Sequence, residues 1–259
     1  MHHIGHLITQ LFTISALRYI IIAGIPFIIF YGLARTHYTP NKIQDKQAQR
    51  KDFIREILHS LQTTLVLAII AFLVLYTPFR KYTLVYSNIA DGGGAWWIAG
   101  SALIALVIHD TYFYWMHRFL HHPAIFRFAH LLHHRSTNPS PWASYSFHFI
   151  EAWTEGAVLL PIVFIIPIHP LGILIFTVSG FIINVYGHLG YEIMPKNFRR
   201  SFLFEVFNTS TYHNLHHSKF KGNYGLYFRV WDRLMGTENP DYVKEYDRIQ
   251  GRRFPEPVS

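Results

Sequence analysis

The chain contains no cysteine. That excludes disulfides, thiolate-ligated haem, iron–sulfur clusters and cysteine-bound zinc, so any metal must be held by nitrogen or oxygen ligands. Charge is also scarce. Asp, Glu, Lys and Arg make up 15% of the 259 residues, where about a quarter is usual in soluble proteins. Half of the chain is hydrophobic and 17% is aromatic, so the net charge of +8 sits in a few segments rather than over a whole surface. Nucleotide motifs are missing too. No GxGxxG occurs in a strand–helix context, and the triple glycine 92–94 is not a phosphate loop, because no Lys-Ser/Thr follows it. Nothing points to a nucleic-acid partner. The length suits a single domain, 1–259, with a sizeable core.

What is present is a set of long runs with little or no charge, of which only 96–115 holds a charged residue, Asp110. Residues 19–34, 57–79 and 96–115 each predict a membrane helix, with Arg18 placed to snorkel to the interface. The first 34 residues, apolar but for Arg18 and three early histidines, are too long for a signal peptide and lack its small-residue cleavage site. Residues 156–191 are free of Asp, Glu, Lys and Arg. As one helix they would be about 54 Å long, against a hydrocarbon core of about 30 Å. The "PIHP" sequence interrupts them, so two helices joined by a tight turn at 167–170 are expected. The predicted fold is an all-α membrane bundle of about five membrane helices, the last two a hairpin. Segments 35–56, 116–155 and 188–259 then share one side and carry nearly all the lysines and arginines. The positive-inside rule makes that side cytoplasmic, capped by polar helices.

The same side holds most of the histidines. Of 18 in the chain, eight lie in three short motifs. His117 and His121 form an HxxxH, His130, His133 and His134 an HxxHH, and His213, His216 and His217 a second HxxHH. Residues four apart share a helix face, so His117 and His121 can address one centre, as can His130 with His133 or His134. Imidazole suits iron, zinc and copper. Eight rings exceed the three or four of a usual single site, so two metals are expected. The alternative for any one motif is a set of surface histidines. Asp110 lies seven residues before His117, close to two turns, where its carboxylate could accept the second ring N–H of His117. Its alternative is a charge at a helix end. His109 points elsewhere. His2, His3 and His6 are read as terminal residues without a role.

The stretches "DTYFYWMHRFLHH", "HLLHHRSTNPSPWASYSFHFIEA" and "STYHNLHHSKFKGNYGLYFRVWDRLMGT" resemble the fatty acid hydroxylase/sterol desaturase superfamily, the integral-membrane di-iron oxygenases. The resemblance covers roughly 97–242, the expected catalytic region. It implies two iron ions, for which zinc can substitute in purified protein, and O2 as co-substrate. It implies attack on an unactivated C–H bond of a lipid, by hydroxylation or desaturation. It also adds His188 as a ninth ligand. Many relatives carry HxxxH there, but this chain has Asn184 at the first position, which leaves a tenth ligand open. The family often has a histidine and an acidic residue where His148 and Glu151 stand, so His148 is a possible further ligand. Asp232 is expected either to orient a histidine or to pair with an arginine.

Sterols, fatty acids, sphingolipids, carotenoids and ether lipids all remain candidate substrates. Tyr112, Tyr114, Trp115, Trp142 and Phe147 could line the lipid's path, or form an interfacial belt. Without an electron-carrier motif, a separate donor is expected, of reductase, ferredoxin or cytochrome b5 type. The short chain suits a bacterial inner membrane, with the endoplasmic reticulum as the alternative. Membrane zinc hydrolysis is disfavoured by the absence of HExxH. A metal transporter or store is the non-enzyme alternative, although transport ligands usually lie near the bilayer midplane.

Overall fold

The computed structural model of the protein describes residues 2–46 and 48–255. Among these the regular structure is helical, and the only strand-like pairings are isolated bridges. Four helices are long and apolar enough to cross a membrane. They are α1 (His2–Phe27, continued by a π-helical stretch Ile28–Leu33), α2 (Arg50–Leu75), α3 (Ala95–Leu120) and α8 (Pro170–Gly187). Their outer faces are apolar, with Leu103 64% and Ile182 52% exposed. A water-facing helix would carry polar residues there, so these faces suit lipid.

Local chemistry sets the helix ends. Asp52 accepts a bond from the Gln49 backbone N–H at 2.9 Å and closes a capping box at the start of α2. Gly93 and Gly94, at φ +91° and +81°, make the turn that launches α3. Pro170 opens α8, whose first turn is capped by His169 accepting from the Leu171 N–H at 3.1 Å.

Among the described residues four helices are long enough to cross where about five were expected, and the turn of the hairpin that ends in α8 lies at residues 166–169. Its first arm, however, is two short helices, α6 (Phe149–Gly156) and α7 (Leu159–Ile165), and not one long one. A bend at 157–158 lets the arm follow the core between α2 and α3, where Gly156 meets Ile70 and Leu67. The chain still runs from one end of the bundle to the other. The Trp97 indole, at the start of α3, donates to the Pro167 carbonyl at 2.8 Å. Arg18 also departs from expectation. α1 begins far upstream of residue 19, so Arg18 sits mid-helix and donates to Thr177 Oγ1, midway along α8, at 3.1 Å.

Shorter helices gather at the opposite end: α4 (Pro123–Ala129), α5 (Leu131–His134), α9 (Phe202–Val206), α10 (Ser210–Lys219), α11 (Val230–Leu234) and α12 (Tyr242–Arg253). The 35–49 connection lies against them. Ile43 N–H donates to the Gly190 carbonyl at 3.1 Å, and the Arg248 guanidinium to the Ile43 carbonyl at 3.2 Å. The three segments expected on one side therefore do meet. Glu56 of α2 is fully buried and accepts from Ser136 at 2.7 Å and Ser140 at 2.5 Å, tying the loop after α5 to the bundle.

Arg229 pins the C-terminal part. It is 2% exposed, pairs with both oxygens of Glu238 at 2.8 Å, and donates to the Phe204 carbonyl. Its guanidinium lies 4.7 Å from the Tyr242 ring centre and 4.9 Å from that of Phe204. Replacing it by Ala leaves a carboxylate and a carbonyl without their donor. We expect Arg229→Ala to cost about 3 kcal/mol, read as a lowered Tm in detergent. An unchanged Tm would mean that the cage is ornamental.

Candidate metal centre

Four structural elements deliver nine histidines to one volume. The last turn and C-cap of α3 supply His117 and His121, and α5 with its preceding residue supplies His130, His133 and His134. The C-cap of α8 is His188, and α10 carries His213, His216 and His217. Their ring nitrogens fall into two groups. His117, His121, His130, His134 and His216 form one, and His133, His188, His213 and His217 the other, each with ligand atoms within 4.8 Å of one another. Only His121 is not fully buried. The helical spacing explains the division. His130 and His134 share a face, as do His213 and His217, while His133 and His216 project to the opposite group. Each HxxHH thus serves both groups.

Backbone carbonyls fix several rings. The Nδ1 atoms of His117, His188, His216 and His217 face the carbonyls of Tyr224, Asn184, Gly222 and Ser136 at 2.9, 2.9, 2.7 and 3.0 Å. A carbonyl can only accept, so each of these Nδ1 atoms carries the proton and each Nε2 presents its lone pair to the centre. The Nε2 of His216 is buried without a partner. The Nε2 of His213 lies 3.1 Å from those of both His188 and His217, and its single possible ring proton cannot satisfy both. His117 and His130 also meet through Nε2 atoms at 3.0 Å. Such a surplus of acceptors fits two cations.

Burial keeps the rings neutral, since an imidazolium would lose its hydration. Burial, then the neighbouring rings, holds His130, His133, His134, His213 and His217 well below the usual histidine range. Burial lowers His188 and His216 to about 4 against the opposing pull of their carbonyl bonds. At neutral pH these rings are ready to ligate without first losing a proton.

Two carboxylates expected at the rings act elsewhere. Asp110 does not touch His117. Its Oδ1 accepts from the backbone N–H groups of Leu226, Tyr227 and Phe228 at 3.2, 2.7 and 3.2 Å, because the 224–228 loop crosses α3 there. Asp232 neither orients a histidine nor pairs with an arginine. It accepts from the Tyr224 and Gly225 N–H groups at 2.9 and 2.7 Å. Together the two aspartates hold the loop whose Tyr224 carbonyl orients His117. A Cβ on Gly225 would come within 2.3 Å of the Phe228 carbonyl, which explains a glycine in that loop.

Neither additional candidate ligand joins the histidine groups. His148 caps α6, its Nδ1 accepting from the Ile150 N–H at 3.3 Å. The Asn184 amide donates to the Ser144 carbonyl at 2.9 Å. The carboxylate that does meet a candidate ligand is Glu151, whose Oε1 lies 2.7 Å from His130 Nδ1. Its signal was weak: a glutamate three residues after His148 in a chain with few charges. Tyr224 stood within the NYG of the third family-like stretch, with no role attached to it. Its ring lies 5.1 Å from that of His121 and 5.7 Å from that of His216.

Two measurements test this division. With a full complement of two ions, His134→Ala and His133→Ala should each lower metal content towards one ion per chain and leave different residual spectra. Identical spectra would argue against two groups. Glu151→Gln should weaken metal retention about 10–100-fold in a chelator titration without removing a ligand.

Residues 102–237 match the family model for fatty acid hydroxylase. The chain is 30% identical over 90% of its length to a Delta(7)-sterol 5(6)-desaturase of Gibberella zeae, spanning 62% of that protein. It is 26% identical over 96% of its length to a protein of the same description from Leptosphaeria maculans, spanning 64% of it. It is 29% identical over 77% of its length to lathosterol oxidase of Rattus norvegicus, spanning 66% of it. The chain thus spans just under two thirds of these relatives. No solved structure gives a significant match. The match over more than half of the chain and the converging histidine motifs make this protein a member of the fatty acid hydroxylase family, within the sterol desaturase superfamily.

Proposed function

We propose that this chain is a membrane oxidoreductase that uses O2 to desaturate or hydroxylate an unactivated C–H bond of a lipid, at two irons held by the nine histidines. The observation that carries this reading is the convergence of nine neutral rings, eight of them buried, in groups of five and four, on one volume at the end of four apolar helices. Sterols are the favoured substrate class, since the relatives are named as sterol desaturases and lathosterol oxidases.

The chain's own residues have definable tasks. The carbonyls of Tyr224, Asn184, Gly222 and Ser136 hold the protons of four rings on Nδ1, so the ligand set needs no rearrangement. Glu151 supports His130 from outside the cluster. The α10 helix is buried over its histidine face and keeps bulk water from the rings. When bound, iron supplies the redox chemistry: O2 is reduced with two electrons from the lipid C–H bonds and two from a donor. That donor is a separate reductase, ferredoxin or cytochrome b5-type protein. The basic segments around the site favour the cytoplasmic side. A bacterial inner membrane suits the chain, and the endoplasmic reticulum is the alternative. Transport or storage of metal is not supported, because the rings lie at one end of the bundle and not along a path through it.

The test is reconstitution of the iron-loaded protein in nanodiscs with a Δ7-sterol, O2 and a reductant. Reductant-dependent O2 uptake is expected, with a product that has lost two hydrogens or gained one oxygen, and none with His133→Ala. Full iron occupancy without a mass change in any added lipid would overturn the reading.

A further inference from the structure

A cavity lies below the histidine cluster, inside the bundle. It has a volume of about 280 Å³ and is walled by α1, α2, α3, α6, α7 and α8. Along α8 its wall runs from Asn184 to Pro170, about 21 Å of helix. The upper end is close to the proposed metals, because Asn184 is one turn before His188. The cavity is therefore a slot that starts beside the site and descends along the bundle axis. Tyr112, Tyr114, Trp115, Trp142 and Phe147 are not among its lining residues.

Most of the wall is apolar, but one level is not. His109 Nδ1 meets the Tyr227 hydroxyl at 2.8 Å and His109 Nε2 meets Glu155 Oε1 at 3.2 Å. Tyr227 reaches this position because α8 has Gly180 opposite, where a Cβ would lie 2.2 Å from the hydroxyl. His109 is eight residues before His117, about 12 Å along α3. Two acceptors here lack partners. Glu155 Oε2 and Asn184 Oδ1 are buried without a hydrogen bond, although each side chain is only 6% exposed and lines the slot. Two orphan acceptors on residues that line an apolar cavity cost stability unless something donates to them. The opposite wall carries Arg18, whose Nε is likewise unpartnered. One cation and one carboxylate leave the slot without net charge, which suits a neutral polar group that both donates and accepts.

We propose that this slot takes one lipid lengthwise and that a hydroxyl on it donates its one proton to Glu155 or to Asn184, the two acceptors left without a partner. The proposal deepens the functional reading above and rests on it for the placement of the reacting carbon. A hydroxyl held about 6–12 Å along the helices from the rings brings carbons a few bonds away beside the metals. Glu155 and Asn184 would then set which bond is attacked. They act as specificity residues and do not touch the metals.

The experiment measures binding apart from turnover. Iron-loaded protein in nanodiscs is titrated with lathosterol, with its 3-methyl ether, and with octadecanol and its methyl ether, following the shift in Tm. We expect an alcohol to bind at least about tenfold tighter than its ether. A gap for the sterol pair assigns a sterol, and a gap for the octadecanol pair alone assigns an acyl lipid. Glu155→Gln or Asn184→Leu, whichever removes the acceptor in use, should shrink the gap while leaving ether binding in place, an outcome that a purely structural role would not produce. Ala71→Phe, which fills the slot, should abolish binding of both members of the pair. Equal binding of alcohol and ether by the wild-type protein overturns the proposal, and needs no variant to fold. So does an undiminished gap in both Glu155→Gln and Asn184→Leu. Failure of the di-iron reading would look different: no O2 uptake, with the gap between alcohol and ether intact.

Discussion

The rest of the structure depends on keeping nine imidazoles uncharged and facing one another. Uncoordinated, their Nε2 lone pairs lie about 3 Å apart with too few protons between them. That arrangement is tolerable only if a cation shares the lone pairs and the surrounding chain cannot relax. The chain prevents relaxation from outside, through carbonyls at residues 136, 184, 222 and 224 that anchor the far sides of four rings. Those carbonyls are held in turn. Glu56 fixes the loop at 136, and Asp110 and Asp232 fix the loop at 224–228. Three of the buried carboxylates of this low-charge chain are thus spent on holding loops in place.

The bundle serves the same end. α3 and α8 run towards the site and pack on one another, so each ends with a histidine in reach of the other groups. Their lipid-facing sides are apolar and specify little beyond depth. Specificity lies inside, where Arg18, His109, Glu155, Asn184 and Tyr227 are polar residues between helices. Polar side chains at that depth are costly unless partnered. The internal bonds offset part of the cost, and the two orphan acceptors mark where a ligand completes it.

Much of this was legible in the chain itself. The uncharged runs marked the apolar helices and the hairpin, and periodicity of 3.6 grouped the histidines. Spacing alone could not decide whether His130 pairs with His133 or His134, because both are near enough in angle. The turn geometry of α5 chose His134. Spacing also put Asp110 on the face of His117, but a face is shared with whatever packs against it, and the 224–228 loop arrived first. Glu151 lies 21 residues from the ring it supports, a contact that no local period encodes.

Arg18 shows the same limit. A charge at the edge of an uncharged run reads as an interface residue, yet α1 extends well upstream and sets that residue against α8. What the sequence determined by itself was composition, helical period and the order of the motifs, since these follow from local chemistry and from the absence of charge. The tertiary structure alone decided which rings gather into which group, which carboxylate backs which ring, and where a polar slot opens in the core. Those depend on contacts between segments tens to hundreds of residues apart, set by packing and by the need to satisfy every buried polar group.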